Sequence, residues 1–253
     1  MKHWALILGA SSGIGAACAK ELAKNGFNIF GIYLRKPRSV IQELMDEISD
    51  HGVDVRFKKM NALNEEQRIN VIQDLKSMGI VKCFIHSLAF GTLKPMISSE
   101  QDSLDSKNIS MTLNVMSNSL IYWVQDLYRH NLLVKGSQIL SMTSSGGRRQ
   151  WPSYGAVSMA KAALESASRQ LAIELAKDNI AVNAIQAGVT DTPALRKIPG
   201  CNEMIDFSIQ KNPSKRLTKP QDIAHIVSMI AQSSNSWMTG NIIRVDGGED
   251  IVG

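Results

Sequence analysis

What most narrows the fold of this chain is a rhythm. Short apolar runs alternate with stretches of helical period from one end to the other. The runs cover residues 4–8, 28–34, 53–59, 81–85, 137–142, 180–185 and 242–245, and several are nearly continuous in Ile, Val, Leu and Phe. Continuous apolar character at strand length suits strands buried on both faces, as in a parallel sheet. Between them, Val40, Ile41, Leu44, Met45 and Ile48 form one helical stripe, and Ile69, Ile72, Leu75 and Met78 form another. Pro220, at a first-turn position, opens a third through Ile223, Ala224, Val227 and Ile230. Strands alternating with helices in this way predict an α/β fold, a seven-stranded parallel sheet with helices on both faces. No Pro/Gly/Ser-rich linker divides the chain, so residues 1–253 read as a single doubly wound domain.

Composition closes off other classes. Apolar residues make up 44% and charged residues 20%, which excludes a disordered tail, a collagen-like fibre and a coiled-coil rod. No apolar run approaches the roughly 20 residues of a membrane helix. The start lacks the long apolar stretch and small-residue cleavage site of a secretory signal, so the chain reads as cytoplasmic and unprocessed. The formal net charge is +5, aromatics are 6%, and no aromatic is interleaved with a Lys/Arg stripe. Nucleic-acid binding is therefore not expected, whereas a basic patch meeting an acidic partner is. Cys18, Cys83 and Cys201 have no metal-ligand spacing, and they fit reduced thiols rather than a disulfide framework or a metal site.

The first apolar run leads into Gly9-Ala10-Ser11-Ser12-Gly13-Ile14-Gly15, and a helical stretch follows to Asn25. Glycines here permit a tight turn and close approach of a diphosphate, while the helix start offers free N–H groups and a positive dipole end. A glycine-rich connection without a ligand is the other reading. Position after a buried N-terminal strand favours a dinucleotide site and a Rossmann-type domain. The second run ends Tyr33-Leu34-Arg35-Lys36, with no acid to take the ribose hydroxyls of NAD. Arg35 and Lys36 are suited to a 2′-phosphate, so the chain is read as using NADPH, although two basic residues in a loop can also simply be solvated.

The most informative stretch combines Ser141-Met142-Thr143-Ser144-Ser145-Gly146-Gly147 with Tyr154 and Lys161. With the Gly-x3-Gly-x-Gly turn, it resembles the Ser–Tyr–Lys region of the short-chain dehydrogenase/reductase superfamily. In most of that family the Tyr lies four residues before the Lys. Here that place holds Val157, and the available phenol, Tyr154, lies seven residues before Lys161. On a helix read as running from 153 to 177, residues 154, 157 and 161 share one face, and the phenol moves by roughly 4.5 Å. Delivering hydride to the β carbon of an enoyl thioester puts charge on an oxygen a few ångströms away. Such a reaction needs its donor displaced in this manner.

Tyr-x6-Lys spacing resembles the enoyl-acyl-carrier-protein reductases of the superfamily, as does His86-Ser87-Leu88-Ala89-Phe90-Gly91 after the fourth run. Asn183 to Thr192, with Ala187-Gly188, is similar to the segment that closes over the nicotinamide, and Val245-Asp246-Gly247-Gly248 is similar to the family's last strand. Asp191-Thr192-x-Ala194-Leu195 and Asn114 resemble most the NADPH-dependent subtype found in Bacillus-like bacteria.

The resemblance implies an NADPH-dependent enoyl-acyl-carrier-protein reductase of fatty-acid synthesis, partnered by acidic acyl carrier protein and assembled as a homotetramer through helices near 108–130 and 153–177. It implies catalytic roles for Tyr154 (enolate stabiliser), Lys161 (ribose ligand, favouring the tyrosinate), Ser144 and Asn114. It places the cofactor on Gly9, Ser11, Ser12, Gly13, Ile14, Gly15, Arg35, Lys36, Asn61, Ala62, Ser87, Leu88, Ala89, Lys161, Ala187, Gly188, Val189, Thr190 and Thr192. Residues 190–216 read as a substrate lid, whose Leu195, Ile198, Met204, Ile205 and Phe207 either line an acyl pocket or pack the lid down. Arg148 and Arg149 read as contacts to the carrier or cofactor, or as a solvated pair. His86 reads as structural rather than as a base. Rival readings are a carbonyl reductase of 3-oxoacyl, steroid or sugar ketones, and a dinucleotide-binding regulator without chemistry. If the phenol has moved, Val157→Tyr is expected to be mild.

Overall fold

A computed structural model describes residues 2–100 and 102–252. Seven parallel strands form one sheet in the order β3-β2-β1-β4-β5-β6-β7. They are β1 (His3–Leu8), β2 (Asn28–Tyr33), β3 (Val55–Lys59), β4 (Ile80–His86), β5 (Gln138–Ser144), β6 (Ala181–Ala187) and β7 (Ile242–Val245). Among the described residues eight α-helices accompany them: α1 (Gly13–Lys24), α2 (Arg38–Ser49), α3 (Glu65–Met78), α4 (Ser106–Leu113), α5 (Ser119–Arg129), α6 (Gly155–Leu175), α7 (Cys201–Lys211) and α8 (Pro220–Gln232). This is a Rossmann-type, doubly wound arrangement. No helix among the described residues is long and apolar enough to cross a membrane.

The apolar runs are continuous because each strand feeds two cores. Trp4, Leu6 and Leu8 of β1 join one cluster with helices α3, α5 and α6. Ala5 and Ile7 join the other with α1, α2 and α8. Successive side chains on a strand point to opposite faces, so a strand covered on both sides has no polar register. The edge strands β3 and β7 are only partly covered, and their charged residues Arg56, Lys59 and Arg244 are exposed.

Helix boundaries follow local chemistry. The side chain of Asn64 caps α3 by accepting from Gln67 N, two glutamates occupy the first turn, and Gly79 ends it. Pro220 stands at the start of α8, as the sequence predicts. Two elements differ from expectation. The helix predicted from 153 begins at Gly155, because Ser153 has a left-handed backbone (φ +60°) and Tyr154 is its N-cap. The segment near 108–130 is one helical rod interrupted by a π-helical turn, Asn114–Asn118.

The chain order reverses between β1 and β4. In an open parallel sheet, that reversal leaves a crevice beyond the carboxyl ends of the two strands.

Candidate active site

The crevice is where the glycine-rich turn lies. Gly9 has φ +80°, and a Cβ there would collide with the Ser87 carbonyl after β4. Gly15 has no room either, because the Gly9 carbonyl is packed against it. Ser12 caps α1 without using its side chain, and no acidic residue enters the first turn. The helix start is thus left with backbone donors and an uncompensated positive end, which suits a diphosphate. Gly13 packs opposite Thr192, so the loop after β6 reaches over this turn. Ser11 and Ile14 are half-buried within it.

At one side of the turn, the Arg35 guanidinium stacks on the Phe90 ring, 3.7 Å from its centroid. This contact joins the end of β2 to the segment after β4, across the end of β1. Lys36 is half-buried beside it. Asn61 Oδ1 accepts from Leu63 N (3.0 Å), while the Ala62 carbonyl accepts from Trp123 Nε1 (2.9 Å). The Ala62 carbonyl is thus engaged within the fold, and Asn61 is exposed. Leu88 is half-buried and Ala89 is exposed along the same rim.

The candidate reacting groups lie at the end of β5 and the first turns of α6. Burial pushes the Tyr154 phenol above its usual range, and the adjoining Ser144 hydroxyl offsets part of that shift. Ser144 Oγ is itself buried without a hydrogen-bond partner of good geometry. Gly146 packs against both, since a Cβ there would meet the Tyr154 ring and Ser144 Oγ. A pKa above the usual tyrosine value favours the protonated phenol, which can donate. Lys161 Nζ is buried and donates to the Met142 carbonyl (2.6 Å). Burial lowers its pKa to about 8, against the opposing pull of Glu165. Glu165 accepts from Thr143 Oγ1 (2.6 Å) and lies one turn beyond Lys161 on α6. Sequence reasoning passed over Glu165, although its i+4 spacing from Lys161 was a usable signal.

His86 is structural, as anticipated. Its Nε2 pairs with Ser119 Oγ (2.7 Å), and burial, with Lys161 second, lowers its pKa to about 3. It is therefore neutral at ordinary pH. Asn114 opens the π-helical turn, and its Oδ1 accepts from Asn118 Nδ2 (2.9 Å). Val157 is 5% exposed in an apolar cluster with Met116 and Ala160, and Gly91 is pressed against it. A side chain as large as Tyr would crowd this cluster, so Val157→Tyr is expected to cost stability.

The loop after β6 completes the rim. Ala187 ends the strand, and a Cβ on Gly188 would strike the Thr218 hydroxyl. Val189 N donates to Glu249 (3.1 Å), and Thr190 Oγ1 donates to the Gly188 carbonyl (2.8 Å). Thr192 Oγ1 accepts from Leu195 N (3.3 Å). In the following segment Leu195 is buried, whereas Ile198, Met204 and Ile205 are half-buried and Phe207 is exposed. Arg148 and Arg149 are exposed but not free. Both pair with Asp250, a residue the sequence reading did not single out.

The chain is similar to known oxidoreductases. A family model described as enoyl-(acyl carrier protein) reductase matches residues 9–249. Over 252 residues the chain is 27% identical to the enoyl-acyl-carrier-protein reductase (NADH) FabI of a Nostoc species, covering 98% of this chain and 96% of that one. It is 30% identical over 258 residues to the short chain dehydrogenase mdpC of Emericella nidulans, covering 96% and 94%. A short chain dehydrogenase of Burkholderia cenocepacia solved in complex with NADP superposes with a TM-score of 0.84 at 25% identity, over 98% of each chain.

Proposed function

Because this chain belongs to the enoyl-(acyl carrier protein) reductase family, within the short-chain dehydrogenase/reductase superfamily, we propose that it is an NADPH-dependent enoyl-acyl-carrier-protein reductase. The observation that carries the reading is the displaced phenol. Tyr154 stands seven residues before Lys161, and the place four residues before Lys161 is sealed by Val157 in an apolar cluster.

The residues present fit a dinucleotide. The α1 start is uncapped by side chains, and Gly9 and Gly15 allow no side chain between strand and turn. NADPH is favoured over NADH by Arg35, Lys36 and the lack of an acid at the end of β2, even though the Nostoc relative is named for NADH. When bound, the nicotinamide supplies a hydride.

Charge developing on the thioester oxygen is met by the Tyr154 hydroxyl, which burial keeps protonated and therefore donating. Ser144 Oγ, buried beside the phenol, is a second donor for the same oxygen. Lys161 orients the ribose and places positive charge behind the phenol. Asn114, in the π-helical turn, relays protons toward Lys161 through a water. The α carbon takes its proton from solvent. Residues 190–216 form the lid, with Leu195, Ile198, Met204 and Ile205 for the acyl chain. Acidic acyl carrier protein delivers the substrate, and the protein works as a homotetramer.

Ser144 favours one rival, since a serine at this place also serves carbonyl reduction. The assay follows NADPH absorbance with crotonyl and longer enoyl thioesters, beside 3-oxoacyl thioesters. Enoyl turnover is expected, with a loss of about 100-fold or more in kcat for Tyr154→Phe. Turnover of 3-oxoacyl thioesters without any enoyl reduction would overturn the proposal in favour of a carbonyl reductase.

A further inference from the structure

We infer that Asp250 is a positioning residue, whose carboxylate fastens the loop between Ser144 and Tyr154 to the floor of the active site. This rests on the proposed function above, because the loop matters only if Ser144 and Tyr154 do.

The loop, residues 145–153, joins the two groups assigned to the substrate oxygen. It is short, opens with a 3-10 turn, and ends at Ser153, which has φ +60°. A non-glycine residue in that region stores strain that surrounding contacts must hold. Among the described residues, few side-chain hydrogen bonds or ion pairs leave the loop. Trp151 Nε1 donates to the Pro199 carbonyl (3.1 Å), and the rest go to Asp250.

The Asp250 side chain is 3% exposed, although its arginine partners are 44–48% exposed. Arg148 pairs with its Oδ2, and Arg149 Nε lies 2.8 Å from its Oδ1. Arg149 Nη2 also donates to the Asp250 carbonyl (3.0 Å), which makes the grip two-point. From below, Gln186 Nε2 at the end of β6 donates to Oδ2 (2.9 Å), and Arg244 of β7 stands 3.6 Å away. Gln186 immediately precedes Ala187, where the nicotinamide loop begins. The arginine contacts to the carboxylate are ion pairs, and the directional hold comes from the hydrogen bonds of Arg149 to the Asp250 carbonyl and of Gln186 to Oδ2.

The tail carrying Asp250 is braced in turn. Asp250 N and Gly248 N donate to the Asp246 carboxylate (3.3 and 2.9 Å). The Asp246 carbonyl accepts from Asn212 at the end of the lid helix (2.8 Å). The adjacent Glu249 accepts from Val189 N (3.1 Å). Residues 246–250 thus touch the Ser144–Tyr154 loop, the loop after β6 and the end of the lid. Asp250 is the member that acts on the reacting groups, through the arginines, without touching substrate itself.

The test compares Asp250→Asn, Asp250→Glu and Arg149→Gln with the wild type, by crotonyl-thioester kinetics and by amide hydrogen exchange. Asp250→Asn is expected to lower kcat about tenfold, the scale of a small misplacement of reacting groups, with KM for NADPH changed less than about twofold because the Gly9 turn is untouched. Exchange should quicken at 145–153 and stay unchanged at 9–15. Asp250→Glu should restore most of kcat, and Arg149→Gln, at an exposed side chain that the core does not need, should shift kcat and exchange in the same direction as Asp250→Asn. Wild-type kcat with wild-type loop exchange overturns the inference. So does a general loss in which KM for NADPH and exchange at 9–15 move with kcat. If Asp250→Asn does not fold, Arg149→Gln is judged by the same criteria. If the wild type reduces only a ketone, the substrate reading falls and the comparison is run on the ketone. If it reduces neither, exchange at 145–153 alone decides.

Discussion

Replacing Lys161 by Met removes a charge from a place where burial already opposes it. Its side chain is enclosed, and burial lowers its pKa from 10.5 to about 8. Near neutral pH the ammonium is protonated in both the folded and the unfolded chain. A depression of this size then means about 3 kcal/mol of disfavoured charge in the fold. Met fills nearly the same space but gives up the bond to the Met142 carbonyl, a loss of about 1.5–3 kcal/mol for a charged donor. The two effects nearly cancel, so apo Lys161→Met should unfold in urea at a midpoint equal to or slightly above the wild type, although turnover is lost. The pH dependence is sharper. Between the folded value of about 8 and the unfolded value of 10.5, the unfolded chain binds a proton that the folded one has released. Wild-type stability relative to the variant should therefore rise with pH through that window, by up to about 3 kcal/mol, and stay flat below it. Urea titrations of both proteins at a series of pH values give the difference directly, and effects of other groups largely cancel. A difference that stays flat through the window, or a variant destabilised by more than about 2 kcal/mol at neutral pH, would refute the reasoning.

Three further outcomes are expected. Val157→Tyr should destabilise the protein by about 1–3 kcal/mol through overpacking against Gly91 and Met116; a thermal midpoint equal to the wild type would show that the cluster has room. Arg35→Ala should raise KM for NADPH about tenfold and leave NADH nearly unaffected, and equal effects on both cofactors would separate Arg35 from the 2′-phosphate. His86, held at about 3 against an ordinary 6.5, resists protonation in the fold. Its contribution is present above 6.5 and is lost as the pH falls toward about 3, so His86→Leu should flatten the acid limb of a stability-pH curve. An unchanged acid limb would contradict that assignment.

The sequence by itself determined the elements whose signals are local. Runs of Ile, Val and Leu at strand length needed two covering layers, and the observed strands lie within two residues of the runs at nearly every end. The turn at Gly9–Gly15 and the Tyr154–Lys161 spacing were also legible, because each depends on residues close together in the chain. Even there, the onset of α6 was placed too early, since nothing local announced the left-handed Ser153.

Only the tertiary structure decided how distant residues meet. Arg148 and Arg149 read as contacts to the carrier or cofactor, or as a solvated pair, and their partner Asp250 lies 101 residues beyond Arg149. Val157 read only as a side chain with no proton to give, and its packing against Gly91, in the segment after β4, is set by the fold. Whether Tyr154 is a phenol or a phenolate, and whether Lys161 is easily charged, depends on burial by several elements at once. Periodicity reports which face of an element is covered, but electrostatics and steric room depend on what covers it, and that is set only when the chain closes on itself.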